Sequence, residues 1–148
     1  MPHHHGKIIA VCVSVKKGEK KVPVPFVTLV QEHGVDRDAH AGPWHRQVSL
    51  LAMESIAKMK EKGLSVGPGD FAENITVEGI DLVSLRPGEH LRSGETLLEI
   101  TQIGKECHNR CAIYHQAGDC VMPKEGVFAR VLHGGTLRAG DPVERVEG

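Results

Sequence analysis

The chain has 148 residues, a length typical of a single domain with one hydrophobic core. Its 18 Lys and Arg side chains nearly balance 19 Asp and Glu side chains, which gives a net charge of −1. This balance removes the long-range positive field that sequence-independent nucleic-acid binding requires, although a local basic pocket stays open. Three Phe, one Trp and one Tyr are too few for a series of base-stacking platforms. No stretch approaches the roughly 18 apolar residues that cross a membrane, so neither nucleic acid nor membrane is expected as a partner.

The N-terminal sequence MPHHHG lacks the charged and apolar regions of a signal peptide, and a cytoplasmic location is therefore expected. Residues 1–6 are assigned to a disordered N-terminus or a tag remnant, and residues 7–148 to one domain. The histidine tract 3–5 could be native or part of a tag. Because the cytoplasm keeps thiols reduced, clustered cysteines there favour catalysis or metal binding over a structural disulfide.

The N-terminal third of the chain is predicted to be extended. Residues 7–15, KIIAVCVSV, are β-branched and apolar and predict a strand, in which Cys12 is expected to be a small buried hydrophobic residue. The charged run 16–21 predicts a turn. Residues 22–30, VPVPFVTLV, resume the extended chain, and Pro23 and Pro25 favour an edge strand.

One long helix is predicted over residues 48–63, VSLLAMESIAKMKEKG. Leu51, Ile56 and Met59 can share its apolar face, and Gly63 would end it. The side chains expected in solvent are Glu54, Lys58, Lys60, Glu61 and Lys62.

From residue 67 onward the pattern is one of short strands and turns. Extended runs are predicted at 74–77, 96–104 and 126–132, and turns at RPGE (86–89), RSGE (92–95) and RAGD (138–141). Regular turns between short strands predict a mainly β fold, a twisted closed or nearly closed β-barrel with one long and one or two short helices.

A polar loop at residues 31–46 is the first candidate site. It places Asp38, His40, His45 and Arg46 within nine residues, next to Gly42–Pro43. Long polar loops on rigid scaffolds often carry function, although a solvated loop fits the same spacing. The single tryptophan, Trp44, favours a packed loop because an indole usually finds a surface to contact.

A second candidate is GDFAENIT (69–76), where Glu73 and Asn74 interrupt an apolar run just before a strand. The two side chains could face a pocket. Asn74 could equally cap a turn through nearby backbone, which is the more usual role for this residue type.

The third candidate is KECHNRCAIYHQAGDC (105–120), which contains three of the four cysteines. Cys107, Cys111 and Cys120 could bind zinc with His108 or His115, but the second close pair typical of zinc sites is absent from the sequence. Cys107 and Cys111 could also form a transient disulfide. The remaining interpretation is a single activated thiolate.

Cys107 is the principal candidate for that thiolate. It follows the predicted strand TLLEITQIG, and Lys105, His108 and Arg110 lie within three residues of it. Neighbouring cations favour the thiolate, which is both the nucleophile and a soft metal ligand. Glu106 and Asp119 could oppose this activation.

With these segments in order, the chain resembles a MOSC domain, the family named after the C-terminal domain of molybdenum-cofactor sulfurase. The resemblance rests on GVDRDAHAGPWHRQVSLL (34–51), GDFAENITVEGIDL (69–82), LRPGEHLRSGETLLEITQIGKEC (85–107) and GVFARVLHGGTLRAGDPV (126–143). Stand-alone bacterial MOSC proteins are especially similar over the cysteine-rich stretch. The resemblance implies a twisted, pyruvate-kinase-barrel-like β-barrel, a single MOSC domain over 7–148, and a cleft lined by a cysteine at the position of Cys107.

The resemblance also implies a molybdenum or tungsten pterin cofactor, bound at least transiently. Cys107 would carry sulfur or ligate the metal, and the motif residues expected near the cleft are Asp38, His40, Arg46 and Asn74. Arg46 could hold the cofactor's phosphate, His40 could donate to an oxo group or shuttle protons, and Asn74 could hydrogen-bond the pterin edge. Lys105 and Arg110 are further cofactor-binding candidates, and Cys111 and Cys120 could add metal ligands or resolve a persulfide on Cys107.

Function stays open between two main classes. The chain resembles no pyridoxal-phosphate cysteine desulfurase, so its sulfur or cofactor would come from a partner. The favoured interpretation is a sulfur carrier or cofactor delivery module that works between cofactor biosynthesis enzymes, or a sulfur donor, and an acceptor molybdo- or tungsto-enzyme. The alternatives are a cofactor-dependent reductase of N-hydroxylated compounds and a zinc-binding structural module.

Overall fold

A computed structural model describes residues 5–16, 20–104 and 125–146 of the chain. Strands dominate this part of the chain, with one α-helix and one short 3₁₀ helix among the described residues. The strands are β1 (His5–Val13), β2 (Val22–Val24), β3 (Val27–Val30), β4 (Gly34–Val35), β5 (Val48–Ala52), β6 (Ile75–Glu78), β7 (His90–Ser93), β8 (Thr96–Ile103), β9 (Val127–His133), β10 (Gly135–Leu137) and β11 (Pro142–Val146). The helices are α1 (Met53–Glu61) and the 3₁₀ helix Leu82–Ser84.

The described strands form a closed β-barrel, which confirms the predicted fold class. Neighbouring strands follow the order β11-β7-β8-β9-β5-β6-β1, and β1 pairs with β11 to close the ring of seven. The pairs are antiparallel except for β5 and β6, which run parallel. The register of β1 against β6 shifts between Ile8 and Ala10, and such a bulge increases the local twist that closure requires.

The barrel encloses the main hydrophobic core. The core is built from buried aliphatic side chains, as the scarcity of aromatic residues predicts. Side chains alternate across the wall, since Leu50 points into this core whereas Leu51 joins a second, outer cluster. The outer cluster consists of Leu51, Ile56, Met59, Phe71 and Phe128.

The helix is shorter than the sequence predicts. Residues 48–52 form β5, and α1 begins only at Met53. Four of the five β5 residues are buried, because β5 lies between β6 and β9 in the barrel wall. Within α1, Ile56 and Met59 are buried as predicted. The side chains predicted to stay in solvent are exposed at Glu54, Lys58, Lys60, Glu61 and Lys62.

Two other boundaries differ from the sequence prediction. β1 begins at His5, two residues before the predicted strand, and His5 and Gly6 pair with Glu144 and Val143. The predicted strand 22–30 is interrupted at 25–26 and gives two strands in different sheets. β2 ends the order of the large sheet, which confirms the edge position that its proline predicts. β3 lies between β10 and β4 in a three-stranded sheet.

The predicted turns at 86–89 and 138–141 lie between strands, before β7 and before β11. The predicted turn at 92–95 is shorter in the structure, because Arg92 and Ser93 belong to β7 and only residues 94–95 form the turn to β8. The region 69–73 is irregular chain that leads directly into β6. No helix within the described ranges is long and apolar enough to cross a membrane.

Candidate functional site

The polar loop of residues 31–46 contacts the end of β8, the strand that precedes the cysteine-rich segment. The Thr101 hydroxyl donates to the His45 carbonyl, and His45 Nε2 lies 2.8 Å from Gln102 Oε1. Gln102 in turn donates through Nε2 to the Gly104 carbonyl at 2.7 Å. Since the Gln102 oxygen faces His45, the histidine carries its proton on Nε2 in this network. The loop is thereby fixed to β8 at Thr101 and Gln102, which lie six and five residues before Cys107 in the chain.

Arg46 is the last residue of this loop, and its guanidinium is stacked on two aromatic rings. Its guanidinium carbon lies 4.7 Å from the centroid of Trp44 and 5.7 Å from that of Phe128. Phe128 belongs to the outer hydrophobic cluster under α1, so the barrel wall supports one of the two rings. The Arg46 Nε is buried and has no hydrogen-bond partner among the described residues. A buried N–H without an acceptor costs about 1–3 kcal/mol, more when the group is charged.

His40 and Trp44 form the other half of the loop. Their rings stack with centroids 6.4 Å apart and planes inclined by 16°. The Trp44 indole N–H donates to the His40 carbonyl at 2.7 Å, which ties the two residues together. The prediction that Trp44 packs against the loop is therefore confirmed, and His40, Trp44 and Arg46 form one stacked group.

Asp38 is buried in an ion pair with Lys21, and both side chains are fully shielded from solvent. Lys21 Nζ donates to the two carboxylate oxygens at 2.8 and 3.1 Å. The backbone N–H groups of Ser14 and His40 donate to the same carboxylate, each at 3.0 Å. Burial would raise the pKa of Asp38, but the hydrogen bond from Lys21 and those from the two N–H groups outweigh it and hold the pKa below its ordinary value. The carboxylate thus accepts hydrogen bonds from protein groups, and the bond from the His40 N–H holds the backbone at His40 in place.

The segment 69–76 contacts the backbone of Lys21. The Lys21 N–H donates to the Gly69 carbonyl at 2.8 Å. Gly69 has a φ of +90°, and a Cβ at this position would lie 2.1 Å from the Lys21 carbonyl oxygen, so only glycine fits. Glu73 accepts the Gly69 N–H at 3.0 Å, and burial raises the pKa of this carboxyl. Lys21 therefore contacts both the loop 31–46, through Asp38, and the segment 69–76, through Gly69.

Asn74 is completely buried at the start of β6. Its Nδ2 donates to the Cys12 carbonyl at 3.1 Å, and its Oδ1 accepts the Ser49 backbone N–H and hydroxyl at 3.1 and 3.2 Å. The side chain links β1, β5 and β6 across the barrel wall. In this geometry it supports the backbone, and its predicted contact with a pterin stays a prediction.

The predicted residues Cys107, Lys105, Arg110, Cys111 and Cys120 lie outside the described residues. Their predicted roles in catalysis, cofactor binding and metal ligation consequently stay predictions. Within the described ranges, no group of three His, Cys, Asp or Glu side chains is arranged to hold a metal ion. Of the predicted cofactor-binding set, the structure brings together His40 and Arg46, with Asp38 behind them and Asn74 in the wall.

Cys12 provides a test of the fold around this site. It is fully buried, as predicted, and burial raises the pKa of its thiol to about 12. We expect Cys12 to resist iodoacetamide at pH 8 in the folded protein and to react fully in concentrated urea, because alkylation needs an accessible thiolate. Mass-spectrometric mapping of the alkylated peptides measures this. Rapid modification of Cys12 in the native protein would contradict the buried position.

Three residues of the site were not predicted. Lys21 is the last residue of a charged run that predicts a solvated turn, and nothing in its local pattern indicates burial. Gln102 and Phe128 belong to predicted strands, but their contacts with the loop depend on pairing between β8 and β9. The one available signal was Trp44, which required a packing surface such as the Arg46 and Phe128 stack.

Comparison with known proteins agrees with this architecture. The family model for the MOSC domain matches residues 36–144. The YuaD protein from Bacillus subtilis superposes with a TM-score of 0.81 at 16% identity, and the alignment covers 97% of each chain. YiiM from Geobacillus stearothermophilus gives 0.71 at 20% identity, covering 96% of this chain and 75% of that one. YiiM from Escherichia coli gives 0.67 at 20% identity over 97% of this chain and 70% of that one.

These structural likenesses fall below 25% identity and therefore show the fold alone. A search of curated protein sequences gave no significant match. The family model, in contrast, spans most of the chain and includes the residues Asp38, His40 and Arg46, the segment 69–76 and strands β5 to β10. The chain therefore belongs to the MOSC domain family.

Proposed function

We propose that this protein binds a molybdenum or tungsten pterin cofactor, or its precursor, and acts as a sulfur carrier or delivery module through Cys107. Membership of the MOSC family supports the proposal, since the family is associated with molybdenum-cofactor binding or sulfurase-like roles. The observation that carries it is Arg46, a stacked guanidinium with a buried Nε–H that lacks a partner among the described residues.

Arg46 fits an anionic group such as the phosphate of a pterin cofactor. The guanidinium lies over the rings of Trp44 and Phe128, and stacking of this kind leaves the N–H groups in the guanidinium plane available to hydrogen-bond acceptors. Nε and a terminal nitrogen together form the fork that pairs with two oxygens of a phosphate or carboxylate. An anion accepting from Nε would satisfy the buried donor, so the residues present fit the implied group.

His40 and Arg46 would hold the cofactor, and Asp38 would support the backbone of His40. When bound, the cofactor supplies a redox-active metal centre that can take up sulfur. Because its stack with Trp44 fixes the His40 ring, the imidazole can donate a hydrogen bond or move a proton from one defined position. The indole of Trp44 excludes water from one side of Arg46, which strengthens the attraction for an anion.

Cys107 would carry the sulfur. Its thiolate would attack the outer sulfur of a persulfide on a donor protein, forming a persulfide on Cys107 and releasing the donor's thiolate. Lys105 and Arg110 would favour the thiolate and add positive charge for the cofactor. Cys111 or Cys120 would attack the Cys107 sulfur of this persulfide, forming a disulfide and releasing the outer sulfur as hydrosulfide, or would add a ligand to the metal. The acceptor would be a molybdo- or tungsto-enzyme.

The experiment compares wild type with Cys107→Ser, both purified from a host that makes the cofactor. Molybdenum, tungsten and zinc are measured together with pterin fluorescence and with persulfide by mass spectrometry. Pterin or a Cys107 persulfide should be present in wild type and lost in the variant. Stoichiometric zinc without pterin, retained in Cys107→Ser and abolished in Cys111→Ser, would instead establish the zinc-binding module.

The same preparation separates delivery from catalysis. An N-hydroxylated purine is added with an artificial electron donor to the cofactor-loaded protein, and Cys107→Ser is the control. The carrier proposal predicts no turnover. Multiple turnovers that disappear in the variant would identify a reductase of N-hydroxylated compounds.

A further inference from the structure

We infer that the buried ion pair of Lys21 and Asp38 positions the segment 40–46, which makes both of them positioning residues for the anion site; the inference rests on the proposed function. Lys21 was not predicted, and Asp38 was predicted to contact the cofactor itself. Their hydrogen bonds assign both residues to the support of His40, Trp44 and Arg46.

The Lys21 ammonium group has all of its hydrogen bonds satisfied inside the protein. Lys21 Nζ has three protons and three acceptors, namely the two Asp38 oxygens and the Ser14 hydroxyl, which lies 3.1 Å away. Both side chains are fully buried, so they present no surface to a ligand. The carboxylate acts on the site through the backbone that it holds and through the His40 ring, whose Nδ1 lies 3.8 Å from Asp38 Oδ2.

That backbone leads directly to the anion site. Asp38 Oδ1 accepts the Ser14 N–H at the end of β1, and Oδ2 accepts the His40 N–H. The His40 carbonyl accepts the Trp44 indole N–H, and the Trp44 ring carries the Arg46 guanidinium. The Ala39 N–H also donates to the Ser14 carbonyl at 2.8 Å, which closes the connection between the loop and the barrel. A displaced carboxylate would therefore displace the indole and the guanidinium with it.

The carboxylate form of residue 38 is essential to this arrangement. Two separate oxygens accept two N–H groups, one on the barrel and one on the loop. An amide in this place offers one oxygen and one NH₂ group, and the NH₂ group would face a backbone N–H without an acceptor between them. Lys21 supplies the positive charge that allows the carboxylate to stay ionised while buried.

The test uses the double variant Lys21→Met/Asp38→Asn, which contains no unpaired buried charge. Trp44 is the single tryptophan of the chain, so its emission reports directly on the loop. Emission maximum and acrylamide quenching are measured without cofactor, together with thermal melting by circular dichroism. Lys20→Met is the matched control, because Lys20 is the exposed neighbour of Lys21.

We expect the double variant to melt cooperatively while its Trp44 emission shifts to longer wavelength and its quenching increases, with Lys20→Met unchanged. Wild-type emission and quenching in the double variant would overturn the inference, because a merely stabilising pair would leave the loop in place once both charges are gone. If the double variant does not fold, Ser14→Ala removes one acceptor of Lys21 and keeps both charges. Increased quenching in Ser14→Ala supports the inference, and wild-type quenching overturns it.

This test is independent of the proposed function. Trp44 fluorescence reports the loop position in the protein without cofactor, whereas pterin content reports binding. A shifted Trp44 in the double variant, combined with wild-type pterin content in a variant without the Arg46 guanidinium, would reject the anion site and retain the positioning role.

Discussion

Replacing Lys21 by methionine is expected to lower the free energy of unfolding by about 3–5 kcal/mol. The Asp38 carboxylate would stay buried without its cation, keeping only the N–H groups of Ser14 and His40 as donors. Methionine is unbranched and only one atom shorter than lysine, so the change removes mainly the charge and three hydrogen bonds and little volume. Urea unfolding followed by circular dichroism measures the difference.

Two comparisons make this prediction specific to the buried pair. Lys20→Met should change the unfolding free energy by no more than about 0.5 kcal/mol, because Lys20 is exposed. Lys21→Met/Asp38→Asn should be more stable than Lys21→Met alone, since neutralising Asp38 removes the unpaired charge. Equal and small losses for Lys21→Met and Lys20→Met would show that the pair contributes no more than a surface contact.

The strands of the barrel were predictable because each one corresponds to a local pattern of residue types in the sequence. β-branched runs separated by glycine-containing turns identify β1, β8 and β9 without any knowledge of pairing. The resemblance to a MOSC domain then supplied the closed arrangement that local patterns do not specify. Closure itself depends on β1 pairing with β11, from opposite ends of the chain, and no short window of sequence contains that information.

The helix prediction shows where local patterns mislead. Residues 48–52 are apolar and continue into good helix formers, so a window across 48–63 has helical spacing. In the folded chain these residues pair with β6 on one side and β9 on the other, which satisfies their backbone within the barrel wall. Strand formation at such a run is decided by partners distant in sequence.

The candidate site was predicted in part for a related reason. Spacing identified the loop that holds Asp38, His40 and Arg46, and the lone Trp44 indicated that the loop is packed. Spacing did not distinguish a residue that faces a ligand from one that supports it. Asp38 is buried by Lys21, which lies 17 positions earlier in a run of charged residues that normally predicts solvent exposure. Asn74 likewise lies within the barrel wall, because Ser49 and Cys12 provide the hydrogen-bond partners of its side chain.

Replacing Arg46 by methionine is expected to reduce the pterin cofactor content of the purified protein by roughly 10- to 100-fold. A hydrogen bond to a charged group contributes about 1.5–3 kcal/mol, and each 1.4 kcal/mol changes an affinity by about tenfold. Methionine retains packing on Trp44 and Phe128 but removes the charge and the fork of N–H donors. Pterin fluorescence after oxidation, expressed per mole of protein, measures the loss.

Two further variants separate anion binding from stacking. Arg46→Lys keeps a positive charge without the planar fork, so it should retain an intermediate cofactor content. Arg138→Met removes a guanidinium that lies 5.8 Å from a different ring, Phe26, and should leave the cofactor content unchanged. Since the buried Nε of Arg46 loses no partner among the described residues, Arg46→Met should not destabilise the fold. Wild-type pterin content in Arg46→Met would show that the stacked guanidinium has no part in holding the cofactor.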